Sequence, residues 1–154
     1  MRASIVLSRA LAPVALAIAA LAGSATAGPG IPPEVTVYKT ASCGCCVLWA
    51  EHLQKEGFLV RSIDVVDLAP YKRKAGVPAS LGACHTAFVK GYVIEGHVPG
   101  DAVKRLLAEK PAIAGLVVPG MPIGSPGMEM GARKDPYEIL ALSRDGTTAV
   151  YERR

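Results

Sequence analysis

The sequence predicts an α/β domain, and three observations lead to this prediction. Strand-like and helical patterns alternate between residues 34 and 110. A turn that carries three of the four cysteines joins the first predicted strand to the first predicted helix. A Pro/Gly-rich loop over residues 119–131 and two strand patterns around Asp145-Gly146 follow, which predicts a C-terminal Met/Pro/Gly loop and a β-hairpin.

The first predicted strand and helix flank the cysteine turn. Residues Glu34 to Lys39 alternate and contain β-branched side chains, which is typical of a strand. A helix is predicted from Cys46 to Glu56, because apolar residues recur there at helical spacing. Ser42 is expected to cap the start of this helix, and Gly57 is expected to end it.

The following segments complete the order of elements. Strands are predicted over residues 58–66, 86–90 and 92–98, and helices over residues 67–74 and 101–110. Gly91 separates the last two strands at a spacing that suits a tight hairpin, and Asp67 and Asp101 are expected to cap the two helices. The resulting order, β-α-β-α-β-β-α with a CxxC at the first strand-to-helix turn, predicts a thioredoxin-like sheet with flanking helices.

The first 27 residues have the pattern of a secretory signal peptide. Arg2 and Arg9 form a basic start, an apolar run extends from Leu11 to Leu21, and Ala25-Thr26-Ala27 is an A-x-A cleavage site. The apolar run is shorter than the ~20 residues that a membrane span needs. We therefore expect a signal peptide over residues 1–27 and a mature periplasmic domain over residues 28–154 that is not embedded in the membrane.

The charge balance of the mature chain argues against nucleic acid as a partner. Removal of Arg2 and Arg9 lowers the net charge from +4 to +2. The basic triplet Lys72-Arg73-Lys74 fits the solvated end of a helix and needs no ligand. Because no basic stripe is present in the sequence, nucleic-acid binding is not expected.

The cysteine turn, Cys43-Gly44-Cys45-Cys46, is compatible with two kinds of chemistry. The N-terminal end of a helix stabilises thiolate over thiol, and thiolate is both a nucleophile and a ligand for soft metal ions. Cys43 and Cys46 satisfy CxxC, which is typical of disulfide exchange and also of zinc sites. Cys45 disfavours a simple redox pair, because its thiolate can attack the neighbouring disulfide. The crowding of cysteines within one turn also disfavours purely structural disulfides.

Cys84 and three methionines extend the set of soft sulfur ligands. Cys84 precedes the third predicted strand, at the position that faces the CxxC turn in a thioredoxin-like fold, so a fourth thiol is expected opposite the other three. Met121, Met128 and Met130, the methionines of the mature chain, all lie in the Pro/Gly-rich loop. Thiolate and thioether ligands together select Cu(I) over harder ions, so copper is the expected metal.

The three histidines carry weaker signals. His85 is a secondary candidate ligand because it neighbours Cys84, although strand alternation is expected to point it to the opposite face. His52 lies two helical turns from Cys45, ~10 Å along the helix, so it is not expected to share a metal ion with the cysteine turn. His97 is interpreted as a strand or loop residue without a functional role.

Four motifs resemble those of a known family. They are Y-K-T-x-x-C-G-C-C-x-x-W from Tyr38 to Trp49, G-A-C-H-T from Gly82 to Thr86, V-x-E-G-H-V-P from Val93 to Pro99, and P-G-M-P-x-G-S-P-G-M-E from Pro119 to Glu129. In these motifs the chain is similar to the CopG-like periplasmic metal-binding family, formerly a domain of unknown function, which is associated with copper resistance. The resemblance covers Val35 to Tyr151. It implies a thioredoxin-like fold and copper binding through Cys43, Cys45, Cys46 and Cys84.

Together these patterns predict a periplasmic Cu(I)-binding protein of copper homeostasis, in which four thiolates hold the metal and the Met/Pro/Gly loop covers it. A polynuclear site is favoured, because several Cu(I) ions spread the negative charge of four thiolates. Copper ions and other periplasmic copper-handling proteins are the expected partners, whereas Cu(I)/Cu(II) cycling and enzymatic activity are left open. The alternatives are a zinc site and a thiol–disulfide oxidoreductase with Cys43 as nucleophile and Cys46 as resolving thiol.

Overall fold

The computed structural model describes residues 31–154, so the expected signal peptide and its cleavage before Gly28 lie outside the described residues. The strands are β1 (Glu34–Lys39), β2 (Leu59–Asp64), β3 (His85–Val89), β4 (Tyr92–Glu95), β5 (Gly115–Val117), β6 (Glu138–Leu142) and β7 (Thr148–Arg153). The helices are α1 (Gly44–Lys55), α2 (Ala69–Lys74) and α3 (Gly100–Glu109), and a 3₁₀ turn covers Ala79–Leu81. Within residues 31–154, none of the helices has both the length and the apolar character needed to cross a bilayer.

The strands form one mixed sheet in the order β2-β1-β3-β4-β5-β6-β7. Strand β1 pairs in parallel with β2, to which α1 connects it, and antiparallel with β3. Strands β3 and β4 form a hairpin with the two-residue turn Lys90-Gly91. This arrangement confirms the predicted α/β fold, with the elements through α3 in the thioredoxin-like order and with helices flanking the sheet.

The main core lies between the sheet and the helices α1 and α3. Alternate residues of β1, Val35 and Val37, are fully buried, as period-two alternation requires. Trp49 and Leu53 contribute the buried face of α1, and Leu106 contributes that of α3. Because this core fixes α1 against the sheet, the first turn of the helix is held at the end of β1.

Strand β5 was not predicted from the sequence, and it explains where the C-terminal hairpin lies. It pairs in parallel with β4 and antiparallel with β6, so the predicted hairpin of β6 and β7 extends the same sheet. Three residues are too few to show a convincing strand periodicity. The tertiary pairing with β4 therefore defines this strand more than its own sequence does.

Two of the expected helix caps, Ser42 and Asp101, are wrong, and the third, Asp67, lies one residue before the N-cap Leu68, although its carboxylate accepts from Ala69 N–H at 2.8 Å. Helix α1 begins at Gly44, so Cys43 and not Ser42 occupies the N-cap position, where it makes no side-chain capping hydrogen bond. Helix α3 begins after Pro99, which leaves Asp101 inside the first turn, where its carboxylate pairs with Arg154 at 2.7 Å. In both cases the backbone entering the helix is set by other constraints, the cysteine turn for α1 and Pro99 for α3.

Candidate metal centre

The cysteine turn places its sulfur atoms at the start of α1. The Cys43 backbone N–H donates to Thr40 O at 3.1 Å, which closes the turn between β1 and the helix. Cys45 and Cys46 belong to the first turn of α1, where backbone N–H groups have no partner within the helix and the helix dipole is positive. The positive end of the dipole of α1 therefore lies at the cysteine turn.

The structure brings together all four cysteines that the sequence singled out. Cys43 and Cys46 are joined by a disulfide with a Cα–Cα distance of 5.4 Å, whereas Cys45 and Cys84 are free thiols. The Sγ atom of Cys45 lies 3.6 Å from that of Cys43 and 3.7 Å from that of Cys84. All four sulfur atoms lie within 4.8 Å of one another, which is close enough for a shared metal site once the disulfide is reduced. Their role as metal ligands stays a prediction.

Cys84 lies at the centre of the site. Besides Cys45, its Sγ atom is 3.0 Å from His97 Nε2 and 3.4 Å from His85 Nδ1. Burial raises the pKa of the Cys84 thiol to about 12, and the neighbouring Cys45 contributes to the rise. The thiol is therefore protonated at neutral pH in the metal-free protein, and a metal ion that binds it must displace a proton.

The two histidines beside Cys84 are buried and neutral. The His85 ring is fully buried with its centroid 4.2 Å from that of Trp49, and burial, with smaller contributions from His97 and Lys72, lowers its pKa to about 3. Burial likewise lowers the pKa of His97. A neutral imidazole is the form that binds metal ions.

Hydrogen bonding assigns the tautomer of His97. Its Nδ1 atom lies 2.8 Å from the carbonyl oxygen of Pro126, which can only accept, so Nδ1 carries the proton. The lone pair is then on Nε2, which faces Cys84 Sγ. A backbone carbonyl that fixes the far nitrogen of an imidazole is the arrangement found around metal-binding histidines.

His85 and His97 both depart from the sequence-based interpretation. The strand does begin at His85, yet its Nδ1 atom lies beside Cys84, because Cys84 precedes the strand and does not follow its alternation. His97 was given no role, although it makes the shortest described contact with Cys84. The β3–β4 hairpin pairs Thr86 with Glu95. When the same register is continued two residues beyond this pair, Cys84 lies opposite His97. That register follows from the Lys90-Gly91 turn and was a signal available in the sequence.

For His52, the structure agrees with the sequence in placing it outside the group of candidate ligands. Its Nε2 atom lies 3.0 Å from the backbone nitrogen of Gly100, from which it accepts a hydrogen bond. Burial lowers the pKa of this imidazole. His52 therefore links α1 to the start of α3.

The Met/Pro/Gly loop, residues 119–131, contacts the site through its backbone. Ser125, Pro126 and Gly127 are buried, and a Cβ atom on Gly127 would lie 2.8 Å from both Cys45 O and Trp49 N. Of the three candidate methionines, Met121 and Met130 are exposed by 52% and 62%, and Met128 is partly buried. The loop therefore lies directly on the first turns of α1, with two of its thioethers facing solvent.

The chain resembles known proteins in a family model and in two solved structures. A family model described as a protein of unknown function, DUF411, matches residues 81–128, which include Cys84, His85 and His97. A solved structure titled copper resistance protein CopG, Form 2, is 41% identical with a TM-score of 0.76, covering 80% of this chain and 98% of that one. Form 1 of the same protein is 42% identical with the same TM-score and coverage. No curated protein matches the chain significantly.

Proposed function

Because the chain belongs to the family of copper resistance protein CopG, we propose that it is a periplasmic copper-binding protein of copper homeostasis and resistance. Its ligands for Cu(I) would be Cys43, Cys45, Cys46 and Cys84. The observation that carries the proposal is the grouping of four sulfur atoms, from two segments 39 residues apart, within 4.8 Å of one another. Thiolates are the ligands that soft Cu(I) prefers.

Binding through all four cysteines requires reduction of the Cys43–Cys46 disulfide. Two electrons and two protons convert the disulfide into two thiols, and each thiol loses its proton when it binds the metal. The oxidised chain retains Cys45 and Cys84 as its free thiols. The copper capacity of the protein should therefore depend on the redox state of this pair.

We propose further that the site holds more than one copper ion. Cys84 belongs to two overlapping groups of donor atoms, one with the three cysteines of the turn and one with His85 and His97. A thiolate shared between two groups can bridge two ions and spread its negative charge over them. Cycling between Cu(I) and Cu(II) extends this proposal, because imidazole also suits Cu(II).

The reduced protein is expected to bind more than one Cu(I) per chain. Anaerobic titration against a competing Cu(I) chelator measures this, and the fluorescence of Trp49, whose ring lies beside His85, reports binding at the site. The same protein with its Cys43–Cys46 disulfide intact is the control and should bind less copper. Saturation at one equivalent would contradict a polynuclear site. Elemental analysis that finds zinc and no copper, after anaerobic purification from copper-exposed cells, would contradict the choice of metal.

Replacement of Met121, Met128 and Met130 by leucine is expected to leave most bound copper in place. Thioethers are neutral and cannot replace the charge of a thiolate, and Met121 and Met130 are exposed. The triple variant should instead change the rate at which copper passes to a chelator, measured by stopped-flow absorbance. Complete loss of binding would identify the methionines as primary ligands.

The proposed location is the periplasm, reached through the signal peptide over residues 1–27. The intact mass of protein from a periplasmic fraction should correspond to a chain that begins at Gly28. A full-length chain in the membrane fraction would contradict both the cleavage and the location.

The Cys43–Cys46 disulfide favours a second candidate function, that of a thiol–disulfide oxidoreductase. In its reduced form, the Cys43 thiolate would attack a substrate disulfide, and Cys46 would then displace the second substrate thiol and restore the disulfide. Cys45, whose Sγ atom lies 3.6 Å from that of Cys43, can intercept the mixed disulfide. Copper binding is therefore the preferred proposal.

A further inference from the structure

Glu95 is a fully buried carboxylate at the end of β4, two residues before His97. Its Oε1 atom accepts hydrogen bonds from Lys72 Nζ and, at 2.6 Å, from the backbone N–H of Ala83. Its Oε2 atom accepts from the Thr86 hydroxyl at 2.7 Å. Three donors and the charge of Lys72 thus compensate the cost of burying the carboxylate.

The hydrogen bonds of Glu95 hold the segment that carries Cys84. Ala83 immediately precedes Cys84, so its hydrogen bond fixes the backbone one residue from the thiol. Beyond the end of β4, Glu95 is followed by Gly96 and then by His97, whose Nε2 atom lies 3.0 Å from Cys84 Sγ. A Cβ atom on Gly96 would lie 2.7 Å from Ala83 Cβ, which shows how closely the two segments pack. One carboxylate therefore links both sides of the contact between Cys84 and His97.

Replacement of Lys72 and Glu95 by an apolar pair isolates what the carboxylate contributes. Replacing a buried ion pair by hydrophobic side chains of similar size is often neutral or stabilising, so the pair of Lys72 and Glu95 is not explained by stability alone. What an apolar pair cannot supply is an acceptor for the N–H of Ala83. We propose that Glu95 is a positioning residue, charge-compensated by Lys72, that holds Cys84 Sγ beside His97 and Cys45; its effect on copper binding rests on the function proposed above.

The test compares two uncharged double variants that differ in one hydrogen-bond acceptor. Lys72→Met/Glu95→Gln keeps an amide oxygen for Ala83 N–H, whereas Lys72→Met/Glu95→Leu fills similar space without an acceptor. Leu106→Ala, a core truncation in α3, controls for general loss of stability because Leu106 is buried in the core between α3 and the sheet. Thermal unfolding first establishes that each variant folds and how far its Tm falls.

The first readout uses metal-free protein with the disulfide intact. The rate of alkylation of Cys84 by iodoacetamide, located by peptide mass mapping, reports how firmly the thiol is held. We expect the Leu variant to react about tenfold faster than wild type or more, as loss of a buried hydrogen bond allows. The Gln variant should stay near the wild-type rate, and Leu106→Ala should do the same. Equal rates for the Gln and Leu variants, or an equal increase in Leu106→Ala, would overturn the proposal.

The second readout separates this inference from the proposed function. In competition with a Cu(I) chelator, the Leu variant should lose about tenfold or more in affinity relative to the Gln variant, with a changed thiolate-to-copper absorption band. If wild type binds no copper while alkylation still distinguishes the two variants, the copper proposal is wrong and the positioning role of Glu95 stands. If wild type binds copper and both variants match it in both readouts, the positioning role is wrong and the copper proposal stands.

Discussion

Cys84→Ser is expected to remove most of the Cu(I)-binding capacity of the reduced protein. The Cys84 sulfur atom connects the two groups of candidate donors, because it lies 3.7 Å from Cys45 Sγ and 3.0 Å from His97 Nε2. A hydroxyl is a poor ligand for a soft metal ion. Loss of this thiolate should therefore cost more than the 10–100-fold in affinity that is typical for loss of an outer-shell partner. Competition with a Cu(I) chelator measures both affinity and stoichiometry.

The fold should survive this substitution. Serine is nearly isosteric with cysteine, and a buried hydroxyl left without a partner costs about 1–3 kcal/mol at most. Urea unfolding measures this cost. His52→Gln is a suitable control, because His52 is hydrogen-bonded to Gly100 outside the group of candidate ligands and its replacement should leave copper binding unchanged.

The same variant distinguishes the two candidate functions. An oxidoreductase that uses Cys43 and Cys46 does not need Cys84, whereas the proposed copper site does. Insulin reduction should be slow in wild type, because Cys45 competes with Cys46 for any mixed disulfide. The ranking of the two functions would be reversed if wild type and Cys84→Ser reduced insulin at the same high rate and bound copper equally well.

Gly127→Ala is expected to displace the Met/Pro/Gly loop from α1. Gly127 has a φ of +83°, and an added Cβ atom would lie 2.8 Å from Cys45 O and from Trp49 N. Both contacts are with helix backbone, which cannot move aside without disturbing the cysteine turn. The loop must therefore shift, and its Pro126 carbonyl, which orients His97, shifts with it.

Gly131→Ala separates this steric effect from backbone strain. Gly131 lies in the same loop at a φ of +60°, but an added Cβ atom there meets nothing within 4 Å. An alanine is strained in the left-handed region, so both substitutions should lower the free energy of unfolding by about 1–3 kcal/mol. The steric clash should make this decrease larger for Gly127→Ala. Urea unfolding followed by Trp49 fluorescence measures the difference, and only Gly127→Ala should also lower copper affinity. Identical behaviour of the two variants would show that the loop does not depend on close contact with α1.

Local patterns were sufficient to predict most of the fold. Strand β1, helix α1 and the β3–β4 hairpin each have a periodicity or a turn signal of their own, and the structure confirms them. The cap at Ser42 was wrong because sequence preference does not determine which residue of a cysteine-rich turn starts the helix. Strand β5 was missed because its pairing with β4 and β6, and not its short sequence, defines it.

The candidate site was only partly accessible to the same reasoning. Cys43, Cys45 and Cys46 lie within four residues, so a single turn of the chain groups them, and the thioredoxin-like order predicts that Cys84 faces them. To predict the position of His97, the register of the β3–β4 hairpin must be extended beyond its paired residues. The contact of Pro126 with His97 depends on the path of an irregular loop, for which the sequence contains no periodic signal.

The wide separation of the candidate ligands along the chain couples metal loading to folding. In an unfolded chain, Cys43, Cys45 and Cys46 are close together along the sequence, whereas Cys84 lies 39 residues from Cys45. In the folded chain, the pairing of β3 with β1 brings the two segments together. A metal ion held by both segments binds the folded chain in preference to the unfolded one. At a free concentration a thousand times its dissociation constant, such a ligand adds about 4 kcal/mol to the free energy of unfolding. Bound copper would then also protect the chain against proteolysis. The amount of protein that persists would therefore rise with the copper supply.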